Sequence, residues 1–132
     1  MIPTKEGQIV KFHTPLPDEN PNQQYVVLEI HLQTDRPRAQ IQALNTGLPF
    51  PPVSLVAVKD LEVVEADASE LIGHLVTIKK PDASEVKGKV VKVKDNKLNL
   101  DLSKTNSGVE TNVWLTVEDE QGVEHLGTLF IN

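Results

Sequence analysis

Apolar and polar residues alternate with a period of two through nearly the whole chain, the spacing that turns successive side chains to opposite faces of a β-strand. Ile9 to His13 reads as the first strand, with Val10 and Phe12 on one face. Pro15, Pro17 and Pro21, together with Asp18, Glu19, Asn20 and Asn22, then predict a polar loop. Tyr25 to Leu32 is the strongest strand of this half: Val26, Leu28, Ile30 and Leu32 alternate with Tyr25, Val27, Glu29 and His31. A turn through Asp35, Arg36 and Pro37 leads to a strand from Arg38 to Leu44, where Ala39, Ile41 and Ala43 alternate with Gln40 and Gln42. Pro49, Pro51 and Pro52 delay the next strand to Val53, because proline cannot donate to a sheet ladder. Val53 to Val58 follows, then a tight corner at Lys59-Asp60 and a closing strand from Leu61 to Val64.

Glu65 to Ser69 is small, acidic and poor in strand formers, which marks it as the boundary between two halves. Asp67-Ala68-Ser69-Glu70 has the spacing of a helix capping box and Gly73 a stop signal, so at most one short helical turn fits there. The second half repeats the plan, with a strand from Leu75 to Lys79. Lys87 to Lys94 and Lys97 to Leu102 are expected to form a hairpin across Asp95-Asn96, setting Val93 against Leu98 and Val91 against Leu100. Asn112 to Glu118 and Val123 to Phe130 form a long C-terminal hairpin around Glu120-Gln121-Gly122. The fold class is therefore all-β, with two small five-stranded barrels in tandem, residues 1–66 and 67–132.

The halves also resemble each other. Gly7-Gln8-Ile9-Val10-Lys11-Phe12 matches Gly73-His74-Leu75-Val76-Thr77-Ile78, and Val26-Val27 matches Val90-Val91. Gly7-x-Ile9-Val10-x-Phe12 at the start, with Val58-Lys59-Asp60-Leu61-Glu62-Val63-Val64 at the end, resembles the SH3-like barrel fold group. That resemblance implies a short helical corner between the last two strands. In the second half Gly73, Val76, Ile78, Gly88, Val90 and Val93 resemble the KOW motif of translation and transcription factors with this fold. The opening Gly7-x-Ile9-Val10 is also similar to plasmid-maintenance toxin ribonucleases, but the basic and hydroxyl set of such an RNA site is not identifiable in this sequence.

Composition narrows the chemistry. Aromatic residues make up only 4% of the chain, so the core must be built from valine, leucine and isoleucine. The net charge of −6 disfavours, for the chain as a whole, the basic surface that holds nucleic-acid phosphates. Without cysteine there is neither a disulfide, a thiolate nucleophile nor a cysteine zinc site. The N-terminus lacks the apolar run of a signal peptide, and no stretch is long enough to cross a bilayer, so a cytoplasmic protein with no membrane partner is expected. His13, His31, His74 and His125 stand at no ligand spacing. No catalytic, metal or cofactor set emerges, and an enzyme is not expected.

Two groups of residues are left as candidate sites. Tyr25, His31, Arg36, Arg38 and a Phe50 held between prolines would suit a protein partner. Lys79, Lys80, Lys87, Lys89, Lys92 and Lys94 would suit nucleic-acid phosphates if they shared one face, although lysines on strand faces also guard sheets against edge-to-edge aggregation. The first group points to a non-catalytic binding or adaptor module working through protein contacts, and the second to a nucleic-acid or ribosome-associated protein.

Overall fold

Ten strands form in the computed structural model, which describes residues 1–46, 51–65, 67–94, 98, 100–106 and 108–131. They make two five-stranded sheets, and the only helical segments among the described residues are two 3₁₀ turns, so the fold is all-β. The chain divides into two units, the first comprising Met1–Asn45 with Pro51–Glu65, the second taking the chain from Asp67 onward. No helix among the described residues is long and apolar enough to cross a membrane.

In the first unit the strands are β1 (Ile9–Phe12), β2 (Tyr25–His31), β3 (Arg38–Ala43), β4 (Val53–Ala57) and β5 (Leu61–Val63), with a 3₁₀ turn at Val58–Asp60 between the last two. All neighbours are antiparallel, in the order β4-β3-β2-β1-β5. One face of this sheet collects Val10, Val27, Ala39, Ile41, Val58 and Leu61, all essentially inaccessible, with Phe12, Tyr25 and Ile30 packed around them. Burying each valine, leucine or isoleucine side chain of this set favours folding by about 1.5–3 kcal/mol, which is how a core so poor in aromatics holds.

The alternation of β2 is broken by a bulge. Val27 stands opposite Ile41 but Glu29 stands opposite Gln40, so Leu28 is an extra residue. One inserted residue exchanges the faces of everything beyond it. Tyr25 and Val27 therefore reach the core before the bulge and Ile30 after it, whereas Glu29 and His31 turn outward beside Gln40 and Arg38. The expectation that Tyr25 and His31 share a strand face is corrected by this insertion.

The second unit comprises β6 (Leu75–Lys79), β7 (Glu85–Val93), β8 (Ser103–Lys104), β9 (Val109–Glu118) and β10 (Glu124–Ile131), in the order β10-β6-β7-β9-β8. β10 also pairs with β9, so the pairings β6 to β7 to β9 to β10 return to β6. Ile78, Val90, Leu115 and Val117 lie at its centre, fully buried. Ahead of β6, Asp67 caps a 3₁₀ turn over Ala68–Leu71, its Oδ1 accepting the Ser69 N–H at 2.9 Å.

The expected hairpin between residues 87–94 and 97–102 is not what pairs. Asp95, Asn96 and Lys97 lie outside the described residues, but the partner of Val93 is Leu115, not Leu98, and both edges of β7 are taken by β6 and β9. Leu98 and Leu100 are each 8% exposed and belong to no strand. Their alternation with polar residues reflects burial from an irregular segment, which local periodicity cannot distinguish from a ladder.

The two units open with the same geometry. Gly7 and Gly73 both take a positive φ, 88° and 90°. Gly7 N–H donates to Val27 O at 2.8 Å and Val27 N–H to Gln8 O at 3.0 Å; Gly73 N–H donates to Val90 O at 2.8 Å and Val90 N–H to His74 O at 3.0 Å. A bulge follows in each second strand, at Leu28 and at Val91. Val27 thus corresponds to Val90, one residue out of step with the match read from sequence. The correspondence ends at the sheet edge, where β8 holds the position of β4 but precedes β9 in the chain.

At Gly88 a Cβ would lie 2.6 Å from the backbone oxygen of Glu118, a group fixed in the β9 ladder. Gly88→Ala is expected to destabilise the protein by about 1–3 kcal/mol, the cost of overpacking a site that cannot give. Urea denaturation checks this, and an unchanged midpoint contradicts the close approach.

Candidate functional site

The two arginines of the chain stand on either side of Pro37, Arg36 in the loop joining β2 to β3 and Arg38 at the start of β3. Thr34 Oγ1 accepts the Arg36 N–H at 2.9 Å and Pro37 O accepts the Val58 N–H at 3.0 Å, which fixes the loop against the end of β4. Two depressions flank it. One, of about 520 Å³, is lined by Glu29, His31, Arg36, Arg38, Gln40 and Leu55 on the outward face of the sheet. The other, of about 610 Å³, is lined by Ile2, Leu32, Asp35, Pro37, Lys59 and the same two arginines. Both volumes fall within the range of small-ligand and peptide-side-chain pockets.

The chemistry of this face is mixed. Leu55 is 60% exposed, and Ile2 and Leu32 are also open to solvent. Neither guanidinium forms an ion pair with a described residue; the carboxylate of Glu29 lies 3.7 Å from His31 Nε2 instead. A guanidinium next to exposed aliphatic surface suits a carboxylate held on an apolar segment, since arginine offers a planar donor fork and is weakly hydrated. Of the residues expected here, the structure brings His31, Arg36 and Arg38 together. Tyr25 is elsewhere, packed edge-on against Phe12 with ring centroids 5.5 Å apart, and burial raises its phenol pKa, with Glu19 adding to the effect. Phe50 lies outside the described residues. Leu55 was missed because its partner strand was read correctly but its place at the sheet edge was not legible.

A second candidate face lies on β7. Lys87 and Lys89 precede the Val91 bulge and Lys92 and Lys94 follow it, so the phase change puts all four on the outward face. On an uninterrupted strand the two pairs would point to opposite sides. Across the ladder, Lys89 faces Glu118 and Lys92 faces Thr116. Lys94 Nζ sits 5.7 Å from the ring centroid of Trp114, which is 37% exposed. No aromatic residue stands among these lysines in the sequence, and the fold brings Trp114 to them from β9. The doubled apolar pair Val90-Val91, set between lysines that change from odd to even positions, was the available signal. Lys79 and Lys80 are engaged otherwise: Lys79 pairs with Glu110 at 2.7 Å above the Phe130 ring, and Lys80 Nζ lies 3.4 Å from His125 Nδ1.

The histidines have local roles. His13 bonds Thr14 Oγ1 and Lys59 O, each at 2.8 Å. His125 Nε2 lies 2.8 Å from Asp119 Oδ2, while Asp119 Oδ1 accepts the N–H groups of Gln121 and Val123, both at 2.9 Å, and so ties the tip of the β9–β10 hairpin. No group of three or more histidine, cysteine, aspartate or glutamate side chains converges on a metal-sized space among the described residues.

The chain matches no protein-family model, no curated protein and no solved structure.

The hydrogen bond from His125, with those from Val123 and Gln121, holds the Asp119 carboxyl below its ordinary pKa of 3.8. A carboxyl whose folded pKa is depressed stabilises the fold above its unfolded pKa and loses that contribution as pH falls through the folded value. Acid unfolding from about pH 3.8 downward is expected to be shallower in Asp119→Asn than in the wild type. Parallel acid-denaturation curves would show that this carboxylate plays no part.

Proposed function

We propose that this chain is a non-catalytic binding module that engages a protein partner through the outward face of its first unit, around Arg36 and Arg38. The observation that carries this reading is the convergence of the two arginines, neither in an ion pair with a described residue, on depressions also lined by Leu32, Leu55 and Ile2. Arginine beside exposed aliphatic surface is the composition that interface hot spots favour. The partner surface that fits is apolar with a carboxylate. The order β4-β3-β2-β1-β5, with a 3₁₀ turn between the last two strands, supports the SH3-like barrel reading of this unit. The aromatic rows that let signalling SH3 domains grip polyproline are missing, so a polyproline ligand is not part of the proposal.

The test is affinity capture with the full chain from native lysate, with and without nuclease, followed by binding measurements on the recovered protein. Binding is expected to survive nuclease and to weaken at least about tenfold in the Arg36→Glu, Arg38→Glu double variant, as for the loss of an arginine hot spot. Retained affinity in that variant rejects the reading.

The lysine face of β7 favours a second reading, a single-stranded nucleic-acid contact in which Trp114 stacks on a base beside Lys92 and Lys94. Such binding should fall steeply with salt and vanish in Lys87→Glu combined with Lys94→Glu. An oligonucleotide that fails to bind at low salt removes it.

A further inference from the structure

The first sheet has two edges, and they are treated differently. At β5 the edge is covered by the N-terminal segment, where Val63 N–H donates to Met1 O at 2.8 Å. At β4 it is open among the described residues. The β3–β4 ladder begins with Val58 N–H donating to Pro37 O and ends with Ala43 N–H donating to Pro52 O, both at 3.0 Å. Hydrogen-bonded pairs alternate along an antiparallel ladder, so Pro52, Ser54, Val56 and Val58 point their backbone groups at β3. The N–H and C=O groups of Val53 and Leu55, and the N–H of Ala57, therefore point away from the sheet with no partner among the described residues.

Such an edge is a pairing template unless it is blunted by charge, proline, a bulge or shortness. β4 is Val-Ser-Leu-Val-Ala over five residues, with no charge, and its register with β3 is unbroken. Val53 and Leu55 are 46% and 60% exposed. In the second unit the edge strand β8 has two residues, one of them Lys104.

We propose that β4 accepts an extended segment of the protein partner as an added antiparallel strand, with an acidic side chain of that segment reaching Arg38. This rests on the protein-partner reading of the arginine face. Val53, Leu55 and Ala57 share the outward face with Gln42, Gln40 and Arg38, their opposite residues on β3. Ala57 is small enough for Arg38 to pass over it to a carboxylate on the added strand. Opposite Leu55 and Val53 the added strand needs apolar residues, so the segment reads acidic-x-apolar-x-apolar from its N-terminus. Main-chain hydrogen bonds supply the affinity and the alternate side chains the selectivity, as in other strand-addition complexes. A second copy of this chain is the poorer occupant. A β4-to-β4 pair leaves both Arg38 side chains without a counter-charge, which an acidic residue on a partner segment supplies.

The probe is the capped peptide acetyl-Glu-Thr-Val-Thr-Val-amide, titrated into the isotope-labelled full chain with amide shifts and hydrogen exchange as readouts. Saturable binding that slows exchange at Val53, Leu55 and Ala57 at least about tenfold is expected. Leu55→Pro removes an outward donor that makes no β3 bond, and should weaken binding at least about tenfold; Leu55→Lys, which keeps that donor, should also weaken it if the proline variant does not fold. Arg38→Glu should reject this peptide and accept one with lysine in place of glutamate. Binding that depends on Arg36 and Arg38 but leaves those amides unprotected and tolerates both Leu55 variants overturns strand addition while the protein-partner reading stands. No saturable shift at millimolar peptide overturns it as well, whatever the captured partner does. Concentration-dependent dimerisation that Leu55→Lys abolishes makes a second copy the occupant and overturns the proposal.

Discussion

A single extra residue in the second strand of each unit governs what the rest of the molecule can present. Side chains on a strand alternate with a period of two, so an insertion at Leu28 or Val91 sends every later residue to the opposite face. Before Leu28 the inward positions are Tyr25 and Val27; after it the inward position is Ile30, and His31 is released to lie beside Arg38. Before Val91 the outward positions are Lys87 and Lys89; after it they are Lys92 and Lys94. Each candidate face exists because a bulge brings into one phase residues that the sequence holds in two. Bulges recur next to functional sites for this reason.

The same constraint explains how an acidic chain holds two positively charged faces. The arginine loop and the β7 stripe collect their charges locally, while the carboxylates most firmly held are committed to turns. Asp119 organises the β9–β10 tip, Asp82 accepts from Ser84 across the loop after β6, and Asp67 caps a 3₁₀ turn. These acids are engaged by donors within their own turns, and neither Arg36 nor Arg38 forms an ion pair with a described residue. The two faces differ in kind. The first combines guanidinium groups with exposed aliphatic side chains and an edge strand that has no second partner among the described residues. The second has a lysine stripe with one ammonium group, that of Lys94, beside the Trp114 indole and Glu118 opposite Lys89, which gives a weaker field for a polyanion.

Much of the fold was legible because periodicity and breakers are local signals. The five strands of the first unit fall within a residue or two of their expected limits, and the corner at Lys59-Asp60 is the 3₁₀ turn Val58–Asp60. In the second unit β6, β7 and the β9–β10 hairpin were legible, whereas the expected strand at 97–102 is not one at its described residues, β8 was missed, and β7 pairs with β9. Val93 was matched to Leu98 by turn geometry, yet Leu115 takes that position, because a ladder partner more than twenty residues away leaves no local trace. His31, Arg36 and Arg38 were found from their types and positions. Leu55 and Trp114 were not, since what matters about them is which neighbour they lack or gain across the sheet.

The sequence by itself determined that this chain forms antiparallel strands from aliphatic residues, where its turns and prolines interrupt them, and that it has no cysteine chemistry. Only the tertiary structure decided which strands pair, which edge is left open and which charges share a face. Alternation and turn propensity are written in neighbouring residues, whereas register, bulges and edges depend on contacts between distant ones, and a one-residue shift in any of them inverts the surface.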